Sequence, residues 1–435
     1  MTFSVLFVLV FSGFILIGWR CREASSSPGW LYASKSISTF SASLSTAATT
    51  IGGSATIVLA HMVYNHGISG ILIDIPIGIG LMVFGLFFAR KLRESGADTL
   101  AHYITIQYGP AVGKVSAIFI ILTGMAWFGL LIRSFTMFLP PDFFLQGNLA
   151  IMVAGVCFLI YIFFSGQRGV FYTDIIQAAI IVMGFVIIGI TLFFADHSYQ
   201  PAAAPEALGT ATQIAFFIMM FLSGLTGPDV SSRALYARNV ASARRGLLFG
   251  GIIKVTISAT IAYIAWKSLT AMAPLSNSYL LFPTLIDTIF ASPMDAILRI
   301  MFLLVMISSA DTVLMTAVTT LNRDLCKQAL SLTLLKVVSF ALGTLGIMLA
   351  LYFSDILDMM RAAYTFYAAG PAMLVLYAYL NLRLRSWGAM LIIVTCGCLA
   401  LALELSSQAV LNPVLTAVGL NVIMALLLRD SAVKG

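Results

Sequence analysis

The feature that most constrains this chain is a succession of long apolar runs separated by short polar segments. We count thirteen runs, each of roughly the length that crosses a hydrocarbon layer as a helix. They lie near residues 2–18, 39–64, 69–90, 112–139, 149–164, 171–194, 210–230, 246–270, 293–320, 331–352, 359–380, 387–404 and 408–428. Because backbone in hydrocarbon must satisfy its own hydrogen bonds, these runs predict an all-α polytopic membrane protein with about 13 transmembrane helices.

The composition excludes a water-soluble protein. Only 9% of the 435 residues are charged, whereas 60% are hydrophobic, which leaves too little charge to cover a soluble surface. The lipid bilayer is therefore the expected surrounding. The net charge of +7 belongs to the loops, so we expect no nucleic acid partner.

Lysine and arginine concentrate in alternate loops, which predicts the orientation. Arg90-Lys91 and Arg244-Arg245 lie in one set of loops, and we count Arg233 with them. The opposite loops, at 65–67, 140–148 and 195–209, carry almost no basic residue. The positive-inside rule then puts the N-terminus outside and the C-terminus in the cytoplasm, and we expect the plasma (cell inner) membrane.

Two runs contain helix-breaking residues at mid-membrane depth. The second run is rich in small and hydroxylated residues and contains Gly52-Gly53, and the seventh contains Gly227-Pro228. Unwound backbone at this depth persists where it lines a cavity or a site. The alternative for the second run is a small-residue face for close helix packing. In the seventh run, Asp229 could cap the half-helix that follows the break.

Interrupted runs that lie five apart predict an inverted-repeat transporter with a binding site at the membrane midplane. Because five is an odd number, the two halves insert with opposite orientation. The predicted units are an extra helix and interfacial segment at 1–38, a first repeat at 39–194, a second repeat at 210–380 and two C-terminal helices at 387–435.

The ninth run carries two hydroxyls and a carboxylate near its middle. In a helix, Val305, Ser308, Ser309 and Thr312 share one face. A partly free Val305 carbonyl and the two serine hydroxyls would present three neutral oxygens, which are the ligands that hard cations prefer. This pattern predicts one wall of a sodium site. The alternative is that each serine hydroxyl bonds back to a carbonyl one turn earlier.

Four segments together resemble the sodium/solute symporter family. They are Tyr32 to Ser36, Gly166 to Gln177, Gly227 to Gly246 with its two short motifs, and Ser308 to Asp324. The resemblance implies the leucine-transporter fold, a five-plus-five inverted-repeat core whose first and sixth core helices are broken. It also implies a sodium site between the first and eighth core helices. The implied ligands are the carbonyls of Ala48, Ile51 and Val305 and the hydroxyls of Ser308 and Ser309.

The same resemblance assigns further roles. Family members use the aspartate at the Asp174 position on the route of sodium release, and some bind a second ion with residues at Ser309, Asp311 and Thr312. Asp174 could instead simply favour a helix N-terminus. Ala55 and Thr50 depart from the sugar-transporting and proline-transporting members, so the resemblance disfavours both substrates.

The predicted solute pocket surrounds the two breaks. Its predicted lining is Thr49, Gly52, Gly53, Ser54, Gly224 and Thr226, with Arg133 on the third core helix. Free amides at a broken helix favour an anionic group, and an arginine can bind a carboxylate in a bidentate geometry. These features favour a small organic anion, such as a carboxylate, or a zwitterionic amino acid. The alternative is that Arg133, near the outer end of its run, extends to the headgroups.

The resulting expectation is a sodium-coupled symporter that imports a small organic solute by alternating access. Sodium is the expected coupling ion, and we expect neither an organic cofactor nor an enzyme, because no histidines, cysteines or paired carboxylates cluster at one depth. Two alternatives stay open. One is a proton-coupled transporter of the same fold, and the other is a non-transporting membrane sensor, which the short segment after the last run disfavours.

Overall fold

The computed structural model describes residues 2–21, 27–195, 199, 205–326, 328–406 and 412–429. Much of the predicted outer loop 195–209 and the last residues, 430–435, lie outside these ranges. Within them, the regular secondary structure is helical throughout, apart from two isolated bridges. In the described part of the chain, eight helices are long and apolar enough to cross a membrane. The count of thirteen membrane helices stays a prediction.

Helices are labelled here by the apolar run in which they lie. They are α1 (Thr2–Cys21), α2a (Thr39–Thr50), α2b (Leu59–His66), α3 (Ile75–Val83), α4 (Pro110–Thr136), α5 and α6 (both within Gly147–Phe194), α7a (Thr210–Thr226), α7b (Pro228–Tyr236), α8 (Val240–Ala271), α9 (Met294–Thr320), α10 (Leu332–Tyr352), α11 (Ile356–Tyr367), α12 (Ser386–Leu405) and α13 (Pro413–Leu427). Short π-helical turns at Ser54–Val58, Phe84–Phe88, Leu321–Leu325 and Ala368–Ala372 adjoin α2b, α3, α9 and α11.

Both predicted interruptions are confirmed. The chain leaves α2a at Ile51, whose φ of −96° and ψ of 74° are not helical. It leaves α7a at Gly227, where ψ is 136°, and Pro228 then starts α7b without offering a backbone N–H. Gly52 is required by crowding, because a Cβ there would lie 2.7 Å from the Ser309 hydroxyl. The break in α2 therefore brings its backbone directly against α9.

A third bend separates α5 from α6. Gly166 has a φ of +62°, a conformation that favours glycine, and a Cβ on it would lie 2.4 Å from the Trp30 ring. The bend redirects the chain just after the predicted fifth run. It thereby positions α6, and Asp174 within it, against α2a and α9.

Helix α9 is the centre of the bundle. In the most apolar 18-residue segment of α9, 94% of the residues are buried, whereas in the corresponding segment of α10 only 33% are buried. It packs against α4, α6 and α2a. Glycines allow the neighbouring helices to approach closely. At the crossing of α3 and α7a, a Cβ on Gly224 would lie 2.0 Å from the Ile77 carbonyl oxygen. The predicted site residues of α9 therefore lie in the interior of the protein.

Candidate functional site

The crossing of α2a and α9 brings most of the predicted sodium ligands together. The Ser308 hydroxyl, which is fully buried, lies 3.1 Å from the Ala48 carbonyl and 2.9 Å from the Val305 carbonyl. The Ser309 hydroxyl lies 2.6 Å from the Thr49 carbonyl. Ser308 thus bonds back to its own helix, as the alternative interpretation expected, and also reaches the other helix.

Ile51 lies where the helix that supplies Ala48 ends. Its N–H donates to the Ala47 carbonyl at 3.1 Å, and the chain then turns away. Carbonyls in the last turn of a helix have no partner within that helix, so the end of α2a offers acceptors. The oxygens at the crossing are neutral and hard, which suits an alkali cation. Among the described residues, no three His, Cys, Asp or Glu side chains cluster so as to hold another kind of metal ion.

A buried ion pair lies beside this crossing. Arg233 of α7b is fully buried, although the charge pattern had placed it in the cytoplasmic loops. Its Nη2 lies 3.2 Å from Asp174 Oδ2 and 2.8 Å from the Thr312 hydroxyl. It also donates to the hydroxyls of Ser45 and Thr49 on α2a. Arg233 therefore connects α7b with α2a, α6 and α9.

Asp311 shares this buried region. The Thr312 hydroxyl, which accepts from Arg233, lies 3.4 Å from Asp311 Oδ1. Asp311 Oδ2 has no hydrogen-bond partner among the described residues. Asp174 accepts from Ser45 at 2.5 Å. The structure thus places Asp174, Asp311 and Thr312 in one region, and it adds an arginine that the sequence had not indicated.

A cavity lies between the breaks of α2 and α7. Its lining comes from residues on both broken helices and on α3, α4, α9 and α11. The lining residues are Thr49, Thr50, Gly52, Gly53, Ser54, Ile77, Trp127, Leu130, Leu131, Ser223, Asp229, Val230, Ser309, Val313 and Tyr364. Four of the seven predicted solute-binding residues are among them, namely Thr49, Gly52, Gly53 and Ser54. Thr49 and Ser309 also belong to the sodium crossing.

The chemistry of this cavity is acidic and aromatic. Asp229 is half-buried at the start of α7b and makes no ion pair within the described part of the chain. The rings of Trp127 and Tyr364 lie 4.9 Å apart between centroids. The Tyr364 hydroxyl faces Ser54. A carboxylate beside aromatic faces is an environment that favours a positively charged ligand.

Three predicted solute-binding residues do not line the cavity. Arg133 donates to the carbonyls of Ala350, at 3.1 Å, and Ser354, near the end of α10. The backbone of Gly224 packs against α3, and the Thr226 hydroxyl donates to the Leu222 carbonyl at 2.7 Å. The hypothesis of an anionic solute depends on the Arg133 guanidinium, and this group binds backbone carbonyls away from the cavity.

A polar cluster connects segments on the predicted cytoplasmic side. Asp98 Oδ1 lies 2.9 Å from Lys35 Nζ, and Asp98 Oδ2 lies 3.0 Å from Arg323 Nε. Burial alone would raise the pKa of Asp98, but the hydrogen bonds and charges of Lys35 and Arg323 lower it below its ordinary value. The cluster joins the segment before α2a to the loop before residue 100 and to the end of α9. It therefore ties both helices of the sodium crossing at one end.

Comparison with known structures supports this fold. A Na+-coupled sialic acid symporter, in a substrate-bound outward-open state, superposes with a TM-score of 0.81 at 15% identity, covering 99% of this chain and 98% of that one. Mhp1, a nucleobase-cation-symport-1 family transporter in a closed conformation, superposes with a TM-score of 0.64 at 13% identity, covering 91% and 94%. The chain therefore has the leucine-transporter-like fold that the resemblance implied.

Curated relatives match at low identity. High-affinity choline transporter 1 of Caenorhabditis elegans is 26% identical over 154 residues, which are 35% of this chain and 27% of the relative. High affinity choline transporter 1 of Homo sapiens is 22% identical over 289 residues, which are 60% and 50%. The chain thus spans about half, or less, of the curated relatives that it matches.

A family model described as the sodium:solute symporter family matches residues 30–396, most of the chain. Family and fold are those of sodium-coupled membrane transporters and not of enzymes. The apolar helices agree with an integral membrane protein. This chain belongs to the sodium:solute symporter family.

Proposed function

We propose that this protein is a symporter that couples the entry of sodium to the uptake of a small organic cation. The observation that carries the proposal is the cavity in which the Asp229 carboxylate, which makes no ion pair with any of the described residues, lies with Trp127 and Tyr364. Its wall includes Ser309, which belongs to the proposed sodium site. Solute and sodium would therefore bind next to each other.

The proposed sodium site consists of the Ala48, Ile51 and Val305 carbonyls and the Ser308 and Ser309 hydroxyls. Four of these five residues meet at the crossing of α2a and α9, directly or through the adjacent Thr49 carbonyl. A sodium ion there would hold α2a against α9. Since Thr49 and Ser309 also line the solute cavity, each ligand would stabilise the arrangement that the other needs, which is the physical basis of coupling.

An organic cation suits the cavity better than an anion does. A carboxylate at this depth is costly unless a cation compensates it. Aromatic rings add a cation–π attraction that grows as water is excluded. An anionic solute would instead be repelled by Asp229, and Arg133 donates to carbonyls away from the lining. The choline transporters of Caenorhabditis elegans and Homo sapiens among the relatives support the same class of solute.

Uptake into proteoliposomes tests this function. Labelled choline, its carboxylate analogue betaine and its neutral isostere 3,3-dimethylbutanol would be offered with a sodium gradient alone or a pH gradient alone. We expect accumulation of the quaternary ammonium alcohol with the sodium gradient, and little uptake of the neutral isostere. Equal handling of the charged and neutral compounds would overturn the cation assignment. Uptake driven by the pH gradient alone would favour proton coupling, and the absence of any driven uptake would favour a sensor.

The orientation is part of the proposal. The charge distribution supports a plasma-membrane protein with its N-terminus outside and its C-terminus in the cytoplasm. The two repeats, at 39–194 and 210–380, would then insert in opposite senses. Single cysteines introduced at Asn65 and at Arg244 test this, because only the first should react with an impermeant thiol reagent in whole cells.

A further inference from the structure

A separate pocket lies at the end of α3, away from the solute cavity and the sodium crossing. It is formed by the π-helical turn that follows α3 and by the first turns of α8. Gly85 allows the two segments to approach, because a Cβ there would lie 2.8 Å from the Arg244 carbonyl oxygen. We call it the arginine pocket, and its lining residues are Gly85, Leu86, Ala241, Arg244, Arg245 and Leu248. Two of these six residues are cationic, and none is acidic.

The two arginines keep most of their hydrogen-bonding capacity. A guanidinium carries five N–H donors and stays charged at physiological pH. Arg244 donates from Nη2 to the Leu86 carbonyl at 3.3 Å. Arg245 makes no hydrogen bond or ion pair with any residue that the structure describes. The nearby Arg90, by contrast, pairs with Glu94 at 3.1 Å. The arginine pocket therefore presents donors that the protein itself does not satisfy.

These arginines lie at the level of the lipid headgroups. Helix α8 is 32 residues long, and Arg245 and Lys267, near its two ends, lie about 33 Å apart along the helix axis. A hydrocarbon core is about 30 Å thick, so the two charges lie at its two surfaces. Under the proposed orientation, Arg245 is on the cytoplasmic side.

An exposed apolar strip continues from the arginine pocket towards the membrane interior. Phe249 and Ile252 follow Arg245 on one face of α8, at i+4 and i+7. They are 49% and 45% exposed, and Phe87, next to the lining residue Leu86, is 68% exposed. In a bilayer, side chains of this kind contact acyl chains. A molecule with an anionic headgroup and an acyl chain would therefore contact both the arginines and the strip.

We propose that the arginine pocket binds the headgroup of an anionic phospholipid, with an acyl chain along the apolar strip. Guanidinium groups bind phosphate oxygens in a bidentate geometry, and basic pockets between membrane helices suit anionic headgroups. A free phosphate would gain nothing from the strip, and a zwitterionic phospholipid brings an ammonium group that the arginines repel. The bound lipid would hold the end of α3 against the start of α8. The proposal does not depend on the solute that the protein carries.

Lipid binding by the purified wild-type protein is the primary test. Native mass spectrometry in detergent would compare palmitoyl-oleoyl phosphatidylglycerol, the matching phosphatidylcholine, and inorganic phosphate. We expect the first phosphatidylglycerol molecule to bind about tenfold or more tightly than phosphatidylcholine, and we expect no bound phosphate at about 1 mM. Equal binding of the two lipids would overturn the proposal. Binding of inorganic phosphate as tight as that of phosphatidylglycerol would also overturn it, because the pocket would then be a site for a free anion.

A double variant tests whether the arginine pocket is the site. A cation near the membrane surface strengthens binding of an anionic lipid about fivefold, so Arg244→Gln combined with Arg245→Gln should weaken phosphatidylglycerol binding about thirtyfold. Arg383→Gln combined with Arg385→Gln is the matched control, because it removes the same charge from an exposed segment outside the pocket. The control should change the affinity by less than about threefold.

The variants decide in either direction. A loss of less than about threefold in the pocket variant, or an equal loss in the control, would overturn the proposal, because the attraction would then come from the surface charge as a whole. If the double variant does not fold, Arg245→Gln alone still decides, since this side chain makes no hydrogen bond or ion pair with the described residues. It should weaken binding about fivefold, and a loss of less than about twofold would contradict the proposal. Phosphatidylglycerol should also raise the melting temperature of wild type more than that of either pocket variant.

Discussion

Two neighbouring regions of this bundle are built on different principles. The sodium crossing uses two helices, α2a and α9, and its oxygens are neutral and buried. The solute cavity uses residues from six helices and contains a carboxylate and aromatic rings. The crossing suits a small ion that backbone and hydroxyl oxygens can surround. The cavity suits a larger cation, whose charge must be met by Asp229 and by ring faces.

Under the proposed function, this difference would allow the protein to distinguish sodium from an organic cation. A hard ion gains most from several short oxygen contacts, whereas an alkylated ammonium offers few donors and gains from π faces and one formal charge. Ser309 and Thr49 lie at the boundary of the two regions. We therefore expect a substitution at the crossing to weaken sodium binding strongly and solute binding slightly. A substitution among the cavity residues outside this boundary should have the opposite effect.

The substitution with the largest expected effect should weaken solute binding and leave sodium binding intact. Asp229→Asn preserves shape but removes the charge that faces the solute, which should cost about 3 kcal/mol of binding. The KM for choline should rise roughly hundredfold. Sodium-induced stabilisation of the protein should persist, because Asp229 is not among the crossing residues. Uptake kinetics with Asp142→Asn, an exposed loop carboxylate, serve as control. A change of less than threefold would contradict the cation assignment.

A substitution at the crossing should instead weaken sodium binding and leave solute binding nearly unchanged. Ser309→Ala removes one buried oxygen, which costs about 1–3 kcal/mol. The sodium concentration for half-maximal uptake should rise about tenfold or more, while solute affinity at saturating sodium changes little. Ser116→Ala is a matched control, since Ser116 is a buried serine bonded back to Val112. Unchanged sodium dependence in both Ser308→Ala and Ser309→Ala would contradict the site.

A smaller effect sharpens the description of the cavity. Trp127→Phe keeps an aromatic ring but weakens the cation–π attraction by about 0.5–1 kcal/mol. The KM for choline should rise roughly twofold to fivefold, with no change in the sodium concentration for half-maximal uptake. Trp266→Phe, at an exposed tryptophan, should have no effect. A parallel shift in sodium dependence would mean that the two regions are not separable.

The smallest expected effect is at Arg133. Its guanidinium donates to the carbonyls of Ala350 and Ser354, so Arg133→Lys should alter solute affinity by less than about twofold. Uptake of choline and of betaine by both proteins measures this. A loss of about tenfold or more, confined to a carboxylate solute, would restore the anion hypothesis.

The sequence predicted features that are local to one helix. The helix breaks follow from Gly52-Gly53 and Gly227-Pro228, which destabilise a helix wherever they occur. The shared face of Ser308 and Ser309 follows from helical periodicity alone. Their approach to α2a agrees with the resemblance, which named Ala48 and Ile51.

Features that depend on several helices were not predictable in this way. Trp127 and Tyr364 lie in apolar runs where aromatic residues are unremarkable, and only tertiary packing brings them together. Asp229 was interpreted as a helix cap and Arg233 as a loop charge, because both closely follow a break. The one available signal was that Arg233 follows Asp229 by a single helical turn, which put two charges inside an apolar region.

Sodium binding without solute tests the central claim most directly. The purified protein would be melted in detergent at constant ionic strength, with sodium replacing potassium. We expect sodium, and not potassium, to raise the melting temperature of wild type and Asp229→Asn along a saturable curve. Ser308→Ala combined with Ser309→Ala should lose most of that increase. Equal stabilisation by potassium, or a full sodium response in the double serine variant, would contradict a sodium site at the α2a–α9 crossing.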